Sequence, residues 1–167
     1  MTGQPNPCLP LEVLEAWFSC DFHNGVLYWK KGRRVGHPAG TVKPHGYRIV
    51  NLNKKSYPAH RIVWMLYWGK DPYPLCVDHA NGVRHDNRID NLRLATRAEN
   101  TQNQRITSRN TSGYKGVSYI KTRGTWEARI MKDRKVHWLG AFATKKEAYA
   151  AYCKAAQVLH EDFARLA

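Results

Sequence analysis

The 167-residue chain reads as an α+β protein of two modules. The first is a helix and β meander leading into strand–loop–strand–helix; the second is a three-stranded antiparallel sheet plus one helix. Three observations carry that reading. Short runs of alternating apolar residues recur at close spacing, broken by Gly, Asn and basic residues, as in small antiparallel sheets. Two Thr-x-x-Glu sequences, Thr96 to Glu99 and Thr144 to Glu147, match the capping box that fixes a helix start. Between them, Gln102–Ser112 is polar and basic without a large apolar stripe, so it reads as a connection.

The elements follow in order. Residues 11–18 predict a short helix with Leu11, Leu14 and Phe18 on one face. From Gly25 to Tyr57 the runs VLYW, AGTV and YRIVNL predict an antiparallel meander with Lys and Arg in its turns. Ala59–Trp68 predicts a helix, with Pro58 suited to its first turn and Gly69 to its C-terminal end. Its expected buried stripe is Ile62, Val63, Leu66 and Tyr67. Leu75-Cys76-Val77 is a strand ending at Asp78-His79, Asn81-Gly82 opens a loop, and Asn91–Ala95 is the returning strand. Thr96 then begins a helix.

In the second module, Lys115–Lys121, Thr125–Lys132 and Val136–Phe142 are strands joined by Thr122-Arg123-Gly124 and Asp133-Arg134. The final helix carries Ala148, Ala151, Tyr152 and Ala155 on one stripe, and its small alanines let it lie close to the sheet. The expected boundaries are 1–105 for the first module (1–57 helix and meander, 58–105 helix and core), 106–112 for the linker and 113–167 for the second.

Charge narrows the partner. Lys and Arg total 27 against 13 Asp and Glu, a formal +14 that exceeds what solubility asks of a small protein. Such an excess favours a polyanion, because each neutralised phosphate releases condensed counterions. The longest apolar run, Ile62–Trp68, is far short of the ~20 residues of a membrane span. The start MTGQPNPCLP lacks a basic flank and an apolar signal core, so a cytoplasmic location and no membrane partner are expected. Cys8, Cys20, Cys76 and Cys153 form no C-x-x-C pair, which argues against structural zinc and against a disulfide framework.

The chemistry concentrates between Val77 and Asn103. Asp78-His79, Asn91 and Asn100 are the parts needed to hold one hard cation beside a general base. Asp78 offers a charged oxygen and Asn100 a neutral one from the capped helix, both suited to such an ion. A neutral imidazole at His79 suits a base acting near neutral pH. Asn91 is expected to hydrogen-bond near His79 and fix its ring. In a strand, Asp78 and His79 would point to opposite sides, one to metal and one to water. With the basic charge, this set points to phosphodiester cleavage of nucleic acid. A second tier comprises His60, Arg61, His85 and Asn87; for His60 a packing role is favoured, and for His85 a solvated turn.

These residues, with Asn87-Arg88-Ile89-Asp90-Asn91-Leu92 between them and His60-Arg61-Ile62-Val63-Trp64 ahead, resemble the HNH endonucleases over about residues 45–105. The branch is that of phage and intron homing enzymes, in which the final histidine is asparagine. The resemblance implies a ββα-metal fold with Asp78 and Asn100 as metal ligands, His79 as general base and Asn91 as the orienting residue. It further implies one divalent ion, magnesium with manganese as the alternative, and products with 5′-phosphate and 3′-hydroxyl ends. A phage-encoded protein in a bacterial host cell fits the same resemblance.

The second module resembles the ethylene-response-factor (APETALA-type) DNA-binding domain of plants. The match rests on Lys115-Gly116-Val117, Trp126-x-Ala128-x-Ile130, Trp138-Leu139-Gly140-x-Phe142 and Glu147-Ala148-x-x-Ala151-Tyr152-x-x-Ala155. That family lays its sheet in the major groove of double-stranded DNA. Strand alternation separately puts Glu127, Arg129 and Met131 on the face away from the helix. By the resemblance, Ser118 and Trp138 join that face, Lys121 and Arg123 edge the groove, and Lys115 also belongs to the contact set. Arg129 is the expected base-edge contact, because arginine grips guanine with two bonds. The chain departs from the plant pattern at Ser118, Ile120, Arg129 and Met131, so the plant target sequence does not transfer.

The reading is a metal-dependent, site-directed DNA endonuclease, a monomer that nicks or a dimer that cuts both strands. The rivals are a DNA-binding regulator with an inactive nuclease fold and a structure-selective nuclease in recombination or packaging.

Overall fold

The computed structural model describes residues 9–102, 106, 110–132 and 135–160. Expectations for Cys8, the N-terminal decapeptide's first eight residues and the Asp133-Arg134 turn lie outside them. The chain divides into two compact units, residues 1–96 and 97–167. The architecture is mixed, with small antiparallel sheets and a few helices, as the patterning predicts.

The first unit opens with helix α1 (Leu11–Trp17), which passes directly into strand β1 (Phe18–Asp21) paired with β2 (Val26–Trp29). Phe18 was expected on the helix; instead it is the first strand residue, facing Trp29 across the ladder at a ring separation of 4.8 Å. The hairpin turn is locked by Asn24, whose backbone and side-chain N–H groups donate to the two Asp21 carboxylate oxygens at 3.0 and 2.8 Å. Strands β3 (Thr41–Val42), β4 (Arg48–Leu52) and β5 (Lys55–Pro58) form the meander. Strand β5 was not anticipated; Asn53 and Lys54, both at positive φ (51° and 62°), make the tight turn that returns it.

Helix α2 runs Ala59–Trp68 and stops at Gly69, whose left-handed backbone lets its N–H bond the Met65 carbonyl at 2.9 Å. The helix is buried more widely than its predicted stripe. Ala59, Ile62, Val63, Trp64 and Met65 are inside, while Tyr67 is half exposed and rests its ring on Phe22. Leu14, Phe18, Leu27, Val50, Ile62 and Val63 form the centre of this core, each worth about 1.5–3 kcal/mol of burial. Val77 and Leu92 extend it beneath the two-stranded ladder of β6 (Cys76–His79) and β7 (Leu92–Ala95), with a 3-10 turn at Ile89–Asn91.

The second unit begins with α3 (Arg97–Gln102), one residue after Thr96. The expected linker is described at Ile106 and 110–112. Its end is a built turn in which Asn110 Oδ1 accepts from Gly113 N at 2.8 Å and Ser112 Oγ donates to the Tyr114 carbonyl at 2.9 Å. Strands β8 (Val117–Ile120), β9 (Thr125–Lys132) and β10 (Lys135–Phe142) form an antiparallel sheet with β9 central. Helix α4 (Lys145–His160) is capped as predicted, with Glu147 N to Thr144 Oγ1 at 3.2 Å and Thr144 N to a Glu147 oxygen at 3.1 Å. Val117, Ala128, Ile130, Ala148, Tyr152 and Ala156 make the seam between sheet and helix. Cys20, Cys76 and Cys153 are free thiols. Among the described residues no helix is long and apolar enough to cross a membrane.

Candidate active site and nucleic-acid face

Strand β6 delivers Asp78 and His79 side by side into the first unit, 6% and 3% exposed. Both are buried, and against different neighbours. Asp78 faces Arg93 directly across the ladder, and its Oδ2 accepts from Arg93 Nε at 3.1 Å. His79 packs against the rings of His60 (4.9 Å, edge-on) and Tyr47 (5.9 Å).

The amide that fixes His79 is Asn87, not Asn91. Asn87 Oδ1 lies 3.0 Å from His79 Nε2, and Asn87 is 1% exposed. A carbonyl oxygen only accepts, so Nε2 carries the proton and Nδ1 the basic lone pair. Asn91, expected in a strand beside the histidine, sits in the 3-10 turn and braces the intervening loop. Its Oδ1 accepts from Asn81 N at 3.0 Å, and its Nδ2 donates to the Asp86 carbonyl at 2.7 Å. Asp86 tightens the same loop by accepting Arg88 Nε and Nη2, each at 2.8 Å, and Asn81 Nδ2 at 2.7 Å. The Arg88 fork holds the Asp86 carboxyl down to about 2.

Burial pushes the His79 pKa below its ordinary 6.5, against the opposing pull of the Asn87 hydrogen bond and of Asp78 and Asp86. The ring is therefore neutral at pH 7, the state a base requires. His60 is pushed further, to about 3, by burial and then by His79 and Arg61. Its Nδ1 has no partner among the described residues, so it is a packing histidine under His79. Arg61 points elsewhere and bonds Asp71 at 2.5 Å. His85 is exposed on the loop.

Two supports arrive from outside this segment. Arg84 stacks over Tyr47 at 5.0 Å and donates to the His45 carbonyl at 2.9 Å. Gly25, at the β1–β2 turn, lies against the Asn87–Arg88 backbone so closely that a Cβ would come within 2.3 Å of it. Arg93, Tyr47 and Gly25 were not singled out from the sequence. Arg93 alone left a signal, as the basic position opposite the acid once the two strands are paired.

Asn100 lies half buried on α3, in the second unit, so the first unit by itself supplies Asp78, His79, Asn87 and Asn91. Asp78, a buried carboxylate of the first unit, is an oxygen donor of the kind a hard divalent ion takes. Among the described residues, no three His, Cys, Asp or Glu side chains gather as a metal cluster.

In the second unit, ladder register puts Ser118 opposite Glu127, Trp138 opposite Arg129 and Val136 opposite Met131, all on the sheet face away from α4. Arg129 is exposed, as are Met131 (60%) and Trp138 (61%). Lys121 and Arg123 are exposed in the β8–β9 turn, and Lys115 is half buried ahead of β8. Glu127 corrects the expected contact set: it is on this face, yet its side chain is only 4% exposed, beneath Arg129 and Arg123.

Comparison with known proteins agrees with both halves. A family model described as HNH endonuclease matches residues 57–102, and one described as AP2 domain matches residues 112–161. The chain is 34% identical over 108 residues to "Protein 3.8" of Escherichia phage T7, spanning 64% of this chain and 87% of that protein. It is 29% identical over 123 residues to "Uncharacterized HNH endonuclease L560" of Acanthamoeba polyphaga mimivirus, spanning 68% of this chain and 63% of that one. The chain belongs to the HNH endonuclease family, with an AP2-type domain following the nuclease domain. It is a nuclease, and its two domains imply DNA as its partner.

Proposed function

We propose that the protein is a site-directed DNA endonuclease of the homing type, in which the first unit hydrolyses a phosphodiester bond and the second docks on duplex sequence. The observation that carries this reading is the buried Asp78-His79 pair with the His79 ring fixed through Nε2 by Asn87. His79 Nδ1 takes a proton from the attacking water. Asn87 holds the ring in one tautomer, and His60 and Tyr47 hold its plane. Asp78 and Asn100 are the metal ligands in this reading, with Arg93 fixing the Asp78 carboxylate from the opposite strand.

When bound, a divalent ion polarises the phosphate and offsets charge on the leaving 3′ oxygen. Oxygen donors favour magnesium, with manganese able to replace it. Products with 5′-phosphate and 3′-hydroxyl ends follow from the loss of that 3′ oxygen. The protein acts as a monomer that nicks, is phage-encoded, and works in the host cell; the similarity to the T7 protein supports that source.

Cleavage of supercoiled phage-host DNA in Mg2+, in Mn2+ and in EDTA, with His79→Ala beside the wild type, tests the reading. Nicked circles that need metal and vanish in the variant are expected. Linear product in the first turnover would replace the monomer with paired sites. Salt-sensitive binding without any cutting would replace the enzyme reading by that of a regulator.

A further inference from the structure

Among the described residues, the sheet face of the second unit contains one acid, Glu127, at its centre. Its carboxylate is buried while its partners are not: Oε2 bonds Arg129 Nη2 at 2.5 Å and Oε1 lies 3.4 Å from Arg123 Nη1, with the arginine side chains 53% and 68% exposed. We propose that Glu127 is a positioning residue for base recognition, holding the heads of Arg129 and Arg123 as a preset donor array for guanine. This rests on the reading of the second unit as the DNA-docking module.

A solvated acid among arginines adds little, because water and salt screen it. A carboxylate removed from water depends on its partners, so swinging either arginine away would strand a buried charge. Arg129 also sits on the central strand, opposite Trp138, remote from the sheet edges. Each guanidinium spends one donor on Glu127 and keeps most of its fork for a ligand. A fork already held loses less freedom on binding than one free to rotate. Guanine, with O6 and N7 side by side in the major groove, is the base edge such a fork matches. The acid itself cannot reach a base, since the arginines cover it.

The test is selection of bound sequences from randomised duplex DNA by the full-length protein, comparing wild type, Glu127→Gln and Arg129→Ala. The wild type is expected to enrich a guanine-containing site, and Arg129→Ala to lose the guanine preference by roughly ten- to hundredfold. Glu127→Gln is expected to lose it at the same base, while affinity for random duplex holds or rises because an acidic charge is gone. A residue that merely stabilised the sheet would lower both kinds of binding together. Thermal melting checks the fold, and Glu127→Asp, which keeps the charge but withdraws the oxygens, is the second variant and should relax the same position. Wild-type preference retained in both Glu127 variants, with Arg129→Ala losing it, overturns the inference and leaves DNA docking intact. A wild type without any base preference overturns the docking reading along with it.

Discussion

His79 Nε2 and Asn87 Oδ1 stand 3.0 Å apart in the interior of the first unit, and that contact decides which ring nitrogen is basic. Asn87 Nδ2 finds no partner among the described residues, so the amide's acceptor end is the one in use. The pair gives Asn87, a second-tier candidate from the sequence, the ring contact expected of Asn91.

Asn87→Ala is expected to lower kcat about 10–100-fold, beyond what the loss of one buried hydrogen bond, roughly 1–3 kcal/mol of stability, accounts for. Asn91→Ala removes two loop hydrogen bonds and is expected to cost roughly 1–3 kcal/mol of stability. Cleavage rates and thermal melts on both variants check the split; equal losses of rate at equal stability would reverse the assignment.

Arg93→Met leaves the buried Asp78 carboxylate without its cross-strand donor. The expected cost is roughly 1.5–3 kcal/mol, the value of a hydrogen bond to a charged group. Chemical denaturation measures it, and activity should fall with it, since Asp78 is then no longer fixed.

His60 gives the first unit a pH dependence. Its folded pKa of about 3 lies below the unfolded 6.5, held down by burial, His79 and Arg61. The unfolded chain therefore binds the proton first as pH falls. Stability is full above pH 6.5 and should decline toward pH 3 by up to about 1.4 kcal/mol per pH unit. A His60→Phe protein should show a shallower slope over that window in denaturant titrations.

Gly25→Ala should be severe for a turn substitution. Its φ of +67° disfavours a side chain, and the added Cβ would meet the Arg88 N and Asn87 carbonyl carbon at 2.3 Å. About 1–3 kcal/mol of destabilisation is expected. Because the displaced backbone is that of Asn87, the remaining folded protein should also cut more slowly.

Much of this molecule is legible from sequence where local chemistry and tertiary packing agree. Helix α2 runs between Pro58 and Gly69, which punctuate it, and the eight-residue β9 follows its own alternation. Strands β1 (FSCD) and β5 (KSYP) were hidden because, unlike VLYW of β2, they mix polar and small residues with few apolar ones. Phe18 continued the helix spacing, and the Asn53-Lys54 turn lacks the usual glycine. Asp78 and His79 stand out by type and spacing, but Asn87 does not. Which amide reaches the ring depends on the path of the loop from Asn81 to Asn91, fixed by hydrogen bonds within that loop and by contacts from far earlier in the chain. Likewise, alternation correctly gave the face of Glu127 but not its depth, which two neighbouring arginines determine.

The supports from Gly25, His45 and Tyr47 bear on portability. The family match begins at residue 57, whereas the backbone under Asn87 rests on the β1–β2 turn, and Ile89 N donates to the Phe22 carbonyl at 3.1 Å. The nuclease motif is thus no self-contained cassette. A chimeric cutter that grafts only the 57–102 segment onto another DNA-binding protein would inherit the chemistry without its foundation, and a workable graft starts at α1.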